Sequence, residues 1–349
     1  MKRFIIGLSF ICLIHTFVSC VSRENYIKIE GYAQGGVYSV VINLAGTDVK
    51  AEAVSDSIDA ILNRIDTTLS GYNRGSMLSR FNSGEDIVPN DLFMDAYAMG
   101  HKIFVETEGV VDVASAPLFD LWGFGFKTGS MPSDEDVQHV KGSCGMGRCT
   151  SLPETDEEGV LNAADVLVAG NGESLPQLNY NAVAQGYSCD LIAQYLYSVG
   201  VKDMLVNIGE IYCDGKSPSG GRWVIGIDKP VDGNDELGAQ LQGIFKVPYG
   251  PHGVVTSGNY RKFYVKDGKK YAHTIDPRTG YPVNHSLLSA TVVASDAMTA
   301  DAYATYCMVV GFEESKKFLA GRSDMEACLV YDEEGEFRVW CTPGFILEN

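Results

Sequence analysis

The sequence predicts an α+β fold, with mixed sheets and packed helices, on three observations. Strand-like and helix-like segments are interleaved without the regular βα alternation of a doubly wound sheet. Neither an internal repeat nor a low-complexity linker divides the chain. The composition is that of a globular protein, with 45% hydrophobic and 21% charged residues in 349, long enough to bury a substantial core.

The first element is an address. Lys2 and Arg3 precede an apolar run from Phe4 to Ile14, and Thr16-Phe17-Val18-Ser19 then leads into Cys20. The run is too short to span a bilayer and reads as an export signal. Small residues before a cysteine predict a lipoprotein signal, with cleavage before Cys20 and acylation of its thiol. The alternative is an ordinary signal peptide with an incidental cysteine. The expected organisation is a signal at residues 1–19, a tether at 20–25 and one domain at 26–349. The expected location is outside the cytoplasm, lipid-anchored to a bacterial membrane and facing the periplasm or the exterior.

Tyr26–Gly31 and Val37–Leu44 are rich in β-branched residues and read as strands around a Gly35-Gly36 turn. From Val49 to Leu69, apolar residues at Ala53, Ile58, Ile61, Leu62, Ile65 and Leu69 follow a helical period. Asn90 is placed to cap a second helix over Leu92–Val105. Val110–Trp122 is apolar around one acid, Asp112. Residues 126–176 are polar and rich in turn signals, and predict short strands and loops. A helix follows at Ala184–Val199, then strands at Met204–Ile208 and Trp223–Ile227. Lys262–Ile275 alternates in places and runs into a Pro277–Gly280 turn. The C-terminal part predicts a strand at Leu287–Ala294, helices at Met298–Val310 and Glu313–Leu319, and strands at Ala327–Tyr331 and Phe337–Trp340.

A formal net charge of -18 repels phosphate backbones and anionic lipid surfaces, so nucleic acid is not an expected partner. A phosphorylated ligand would need a cation or a local donor site. An oxidising compartment permits disulfides. Cys144 and Cys149, flanking Gly-Met-Gly-Arg, are the favoured bridge, with free thiols as the alternative, whereas Cys307 and Cys328 sit in apolar runs and read as core.

Four segments carry residues suited to chemistry. Asp301 and Thr305 share a helical face and offer hard oxygens suited to magnesium; a helix-end charge beside a packed threonine is the plainer reading. In the run at 271–280, His273 and Asp276 stand at a strand end before a turn, as an acid–base pair or as a turn with a surface histidine. At 179–187 a strand enters a helix near Gly186, a corner suited to phosphate or metal, or to close packing alone. Asp112 in its apolar setting needs a donor, from a ligand or from a backbone amide.

Taken in order and spacing, these segments resemble the FAD:protein FMN transferase, or ApbE, family. The resemblance runs from about Tyr26 to the C-terminus. It is carried by Ile65-Asp66, Leu69–Tyr72, Leu78–Asn82, Asp112 with Ala116–Leu118 and Leu121–Gly125, Thr256–Arg261, His273–Gly280 and Ala300–Thr305. The resemblance implies an ApbE-like, T-fold-related architecture. It also implies an enzyme that cleaves FAD, attaches FMN to a Thr or Ser hydroxyl of an acceptor protein through a phosphoester bond, and releases AMP. Magnesium would be held by Asp301, Thr305 and the carbonyl of Ala182. FAD would contact Gln34, Gly71, Tyr72, Asn73, Asp112 at its adenine end, Gln185 and Ile275. His273 would act as base, with Asp276 as the alternative base or its orienting partner. The acceptor would be a membrane-bound or exported electron-transfer protein. Two other outcomes share the same site: a magnesium-dependent FAD pyrophosphatase and a non-catalytic FAD-binding lipoprotein. One departure stands out. Val206–Ile211 carries a single glycine, Gly209, where the family commonly has a pair, which predicts a shifted register or a narrower pocket.

Overall fold

The computed structural model describes residues 17–20, 25–124, 131–151, 153–168, 175–231, 234, 238–259, 263–266 and 269–348. The apolar part of the export signal, residues 21–24 of the tether, Gly125 and Tyr260-Arg261 of the family motifs lie outside the described residues.

Strands follow the chain as β1 (Phe17–Cys20), β2 (Tyr26–Ala33), β3 (Gly36–Asn43), β4 (Met204–Asn207), β5 (Ile211–Asp214), β6 (Val224–Asp228), β7 (Leu241–Lys246) and β8 (His252–Gly258). They continue as β9 (Phe263–Lys266), β10 (Lys269–Ala272), β11 (Ile275–Asp276), β12 (Tyr281–Pro282), β13 (Leu287–Ala294), β14 (Glu326–Glu333), β15 (Glu336–Cys341) and β16 (Leu347–Glu348). Nine of them form one sheet in the order β1-β2-β3-β4-β5-β8-β13-β14-β15, with antiparallel ladders throughout. A smaller sheet, β16-β7-β6, covers one face. There Trp223, Ile225 and Phe245 pack against Val254, Val293 and Cys328 of the large sheet.

The other face carries helices. These are α1 (Ala51–Leu69), α2 (Met77–Asn82), α3 (Asp91–Glu106), α4 (Ala116–Leu121), α5 (Asp134–Lys141), α6 (Ala163–Val166), α7 (Ala184–Ser198), α8 (Ala297–Val310) and α9 (Phe312–Ala320). On α1, the residues Val54, Ile58, Leu62, Ile65 and Leu69 are buried, the stripe expected of an amphipathic helix on a core. Asn90 caps α3 by accepting from Phe93 N. α8 is buried nearly all round because it lies on β8 and β13 and under α7. Among the described residues, no helix is long and apolar enough to cross a membrane.

The α+β expectation holds, and three details differ. The β2–β3 turn sits one residue earlier than expected: Ala33 pairs with Gly36, and Gln34 and Gly35 take the left-handed conformations, φ 51° and 83°, that a two-residue hairpin demands. The stretch expected to be strands and loops contains α5, opened by a capping box between Ser133 and Asp136, and the shorter α6. Finally, Cys144 and Cys149 are free thiols. Cys144 packs in the Trp122 cluster while Cys149 packs against the main core beyond the short 3-10 turn at Met146–Arg148, so the two side chains serve different clusters.

Candidate functional site

Four elements converge where α7 begins. Close approach comes first. A Cβ on Gly186 would lie 2.3 Å from the carbonyl oxygen of Ala297, so only glycine lets α7 meet the first turn of α8. From that position the amide of Gly186 donates to Asp301 Oδ2 at 3.1 Å. In a regular helix this amide would close the turn onto the carbonyl four residues back, Ala182. Given to Asp301 instead, it leaves the Ala182 carbonyl oxygen available at the helix entrance.

The third element is the β4–β5 turn. Gln185 Nε2 donates to Ile208 O at 3.1 Å and braces this turn against α7. Gly209, at φ 108°, allows the chain to double back within three residues, and Glu210 follows. The carboxylate of Glu210 lies in the field of Asp301, and the backbone of Thr256 on β8 offsets part of that effect. Desolvation pushes both acids well above the ordinary carboxylate range. The charge of Asp301 adds to the effect at Glu210, and that of Asp190 adds to it at Asp301. Asp190, also buried, accepts from the amides of Ala297 and Met298, each at 2.8 Å, and so seats the start of α8.

Two carboxylates, a released carbonyl and the Thr305 hydroxyl one helical turn beyond Asp301 form an excess of hard acceptors over donors. That donor set fits magnesium. Among the described residues, no group of three or more His, Cys, Asp or Glu side chains forms a metal cage. The protein thus offers a partial oxygen set, of the kind magnesium completes with water and substrate phosphates.

The remaining candidates are each held by contacts of their own. Asn179 N donates to Val113 O at 2.6 Å and Ala116 N to Gln177 O at 3.3 Å, so the segment bearing Asp112 is stitched to the one that leads into Ala182. Asp112 finds backbone donors: Oδ1 accepts from Ala114 N at 2.8 Å and from Met146 N at 3.0 Å. Burial nevertheless pushes its carboxyl up to about 6 against the pull of those two bonds. Gln34, at its hairpin tip, donates to Ser188 Oγ on α7 at 2.5 Å. The loop Gly71-Tyr72-Asn73 is held by Asn73, whose side chain donates to Asp66 Oδ2 at 2.7 Å, and it presents Tyr72 with 67% of its surface exposed.

The 273–280 segment is fastened to the Leu121-Trp122 motif. The Trp122 indole donates to Gly280 O at 2.8 Å, and Ile275 is buried with Leu118, Trp122 and Val137. The His273 ring meets Phe124 edge-on at 6.5 Å. Both oxygens of Asp276 are engaged by the Arg278 guanidinium, at 3.0 and 2.9 Å, and its carbonyl closes the turn to Gly280.

The structure therefore brings Gln185, Gly186, Glu210 and Asp301 together, with Ala182 just before α7 and Thr305 one turn further along α8, and stitches the Asp112 segment to the one leading into α7 through the backbone. It ties Gln34 to α7 and places Ile275, Asp276 and His273 on a separate, adjoining turn. Sequence reasoning missed Glu210 and Asp190. Each is an acid interrupting an apolar stretch, the same signal that singled out Asp112.

Such a site, an acidic oxygen set at a helix entrance inside an antiparallel α+β fold, has the chemistry of an enzyme centre rather than of a packing contact. The profile described as the ApbE family matches residues 35–329, and the chain belongs to that family. It is 30% identical to the FAD:protein FMN transferase of Escherichia coli K12 over 346 residues, covering 94% of this chain and 93% of that protein. It is 29% identical to the one from Haemophilus influenzae, covering 97% and 95%. Among solved structures, the flavin transferase ApbE from Vibrio cholerae superposes with a TM-score of 0.75 at 27% identity, covering 91% of this chain and 97% of that one. The apo flavinyl transferase ApbE from Pseudomonas stutzeri gives 0.74 at 28%, covering 95% and 96%.

Proposed function

We propose that this chain is a FAD:protein FMN transferase that works with magnesium at the Asp301 centre. Family membership supports the reaction. The observation that carries the metal reading is the Gly186 amide given to Asp301, which frees the Ala182 carbonyl beside two desolvated acids. Asp301, Thr305 and the Ala182 carbonyl would hold the ion, and Glu210 would add charge behind it. Bound there, magnesium would neutralise the FAD pyrophosphate and the charge gathering on departing AMP, in a protein of charge -18.

The chain's own groups do the rest. Gln34, Gln185, the backbone at the buried Ile275 and the exposed Tyr72 loop meet FAD, and Asp112 accepts from the exocyclic amine of adenine. His273 takes the proton from the acceptor hydroxyl, a step worth about 10²–10⁴-fold. Asp276, saturated by Arg278, sets the turn that presents His273. Export and acylation at Cys20 would place this centre at a membrane surface, where an exported or membrane-bound acceptor is within reach. Incubation with FAD, magnesium and a co-encoded exported protein tests the reading. Covalent FMN on a Thr or Ser supports it. Free FMN and AMP alone would mark a pyrophosphatase, and unchanged FAD a binding protein.

A further inference from the structure

The fold prepares one thiol pair. Cys328 on β14 and Cys341 on β15 are direct cross-strand partners, so their side chains leave the same face of the sheet. Beside them, Thr342 N donates to Ala327 O at 2.9 Å, which makes Ala327–Thr342 a hydrogen-bonded pair. By alternation, Cys328–Cys341 is a non-hydrogen-bonded pair. In such a pair the Cα atoms stand about 4.5 Å apart, within the span of roughly 4.4–6.8 Å that disulfides bridge. The two sulfurs influence each other: the neighbouring Cys328 thiol holds the Cys341 thiol below its ordinary range, and the Cys328 thiol is itself pushed up. Cys341 is partly exposed and Cys328 is buried, so an external reagent meets Cys341 first.

The other described cysteines lack such a partner. Cys213 shares the cluster with Cys328, but β8 and β13 separate their strands, a gap of about 14 Å at the usual strand spacing. Cys189 and Cys307 lie on α7 and α8, among the clusters on the opposite face.

We propose that Cys328 and Cys341 close a cross-strand disulfide in the folded protein when a disulfide oxidant is present. The Cys341 thiolate attacks one sulfur of the oxidant's disulfide and expels the other as a thiolate, forming a mixed disulfide. Cys328 then gives up its proton and attacks Cys341 Sγ, and the second oxidant sulfur leaves as a thiolate. The protein loses two protons and two electrons, and the oxidant is reduced to its two thiols. The bond fastens β15, the last strand of the large sheet, at the point where the chain leaves for the small one. Just beyond it, Phe345 stacks on Phe245 at 4.0 Å and β16 pairs with β7.

The test is a titration of the purified full chain in buffers of oxidised and reduced glutathione, quenched with acid, alkylated and mapped by peptide mass. The expected result is joint loss of both thiols to alkylation, a linked peptide pair carrying Cys328 and Cys341, and a thermal midpoint higher by about 3–8 °C in the oxidised form. In Cys341→Ser, Cys328 stays alkylatable and the midpoint no longer responds to the oxidant. Free Cys328 and Cys341 in oxidised wild-type protein, or a link from either to Cys213, would overturn the proposal. The wild-type titration decides it even where the variant fails to fold.

Discussion

Gly186 donates its amide to Asp301 Oδ2 at 3.1 Å across a contact between α7 and α8 that no side chain could enter. One residue thereby does two things: its missing Cβ sets the distance between the helices, and its N–H orients the carboxylate and releases the Ala182 carbonyl. The metal reading and the packing reading of this glycine are therefore the same fact. The geometry links the sequence requirement directly to the chemistry.

Gly186→Ala puts a methyl group 2.3 Å from Ala297 O, and backbone cannot yield cheaply there. The helices must part, at about 1–3 kcal/mol. Urea unfolding should show that loss, and the magnesium concentration needed for half-maximal FAD turnover should rise together with it.

Asp301→Asn separates function from stability. The buried carboxylate is held in the field of Asp190 and beside Glu210, so it strains the cation-free protein. Asparagine keeps the bond from Gly186 but removes the charge. FAD turnover should vanish. The cation-free variant should be more stable than wild type by about 1–2 kcal/mol, and magnesium should no longer raise its thermal midpoint. An unaltered magnesium response in the variant would remove Asp301 from the ligand set.

That Asp301 and Thr305 share one face of α8 was legible because helix periodicity alone places residues four apart on one face. The buried stripe of α1, apart from Ala53, which is exposed while Val54 is buried, and the Asn90 cap were legible for the same reason: both are local. Glu210 was not, since its role depends on a turn between β4 and β5 arriving beside α8, a contact made by residues about ninety positions apart in the chain. The Cys144–Cys149 expectation failed on a similar point. Nearness in sequence said nothing about which hydrophobic cluster each side chain would join. Short helices such as α5 and α6 carry too few residues to show a period, and Asp136 stands where a capping-box signature would have Glu or Gln. The single glycine at 209 did not disturb the sheet: β4 and β5 pair without a break from Met204–Asp214 to Asn207–Ile211.

Gly209→Ala tests that turn. At φ 108° an alanine is strained by about 1–3 kcal/mol, and its methyl would stand 2.9 Å from Gln185 Nε2. The bond from Gln185 to Ile208 should break. Differential scanning calorimetry should show the lower midpoint. FAD affinity, measured by flavin fluorescence quenching, should weaken in the variant and in Gln185→Ala alike.

His273→Gln keeps the polarity and size of the ring's surroundings and removes the base. Transfer to the acceptor should slow by about 10²–10⁴-fold, with FAD binding by fluorescence unchanged. In contrast, Asp276→Asn should act through the turn: it releases Arg278 and lowers stability more than it slows transfer.

Asp112 supplies a pH signature of its own. Burial raises its carboxyl from 3.8 to about 6 in the fold, so between those values the native state holds a proton that the unfolded chain has released. The sign follows: the proton-linked stabilisation is fully present below about pH 4 and is lost as pH rises through 6. The shift corresponds to about 3 kcal/mol across the window. Asp112→Asn removes the titration while keeping an oxygen to accept from Ala114 and Met146. The cation-free variant should therefore lose stability less steeply than wild type between pH 4 and 6.5 in urea titrations. Because asparagine offers adenine a weaker acceptor than carboxylate, its FAD affinity at pH 7.5 should fall by about tenfold. A wild-type slope in the variant would show that another buried acid, Asp190 foremost at about 7, governs the window.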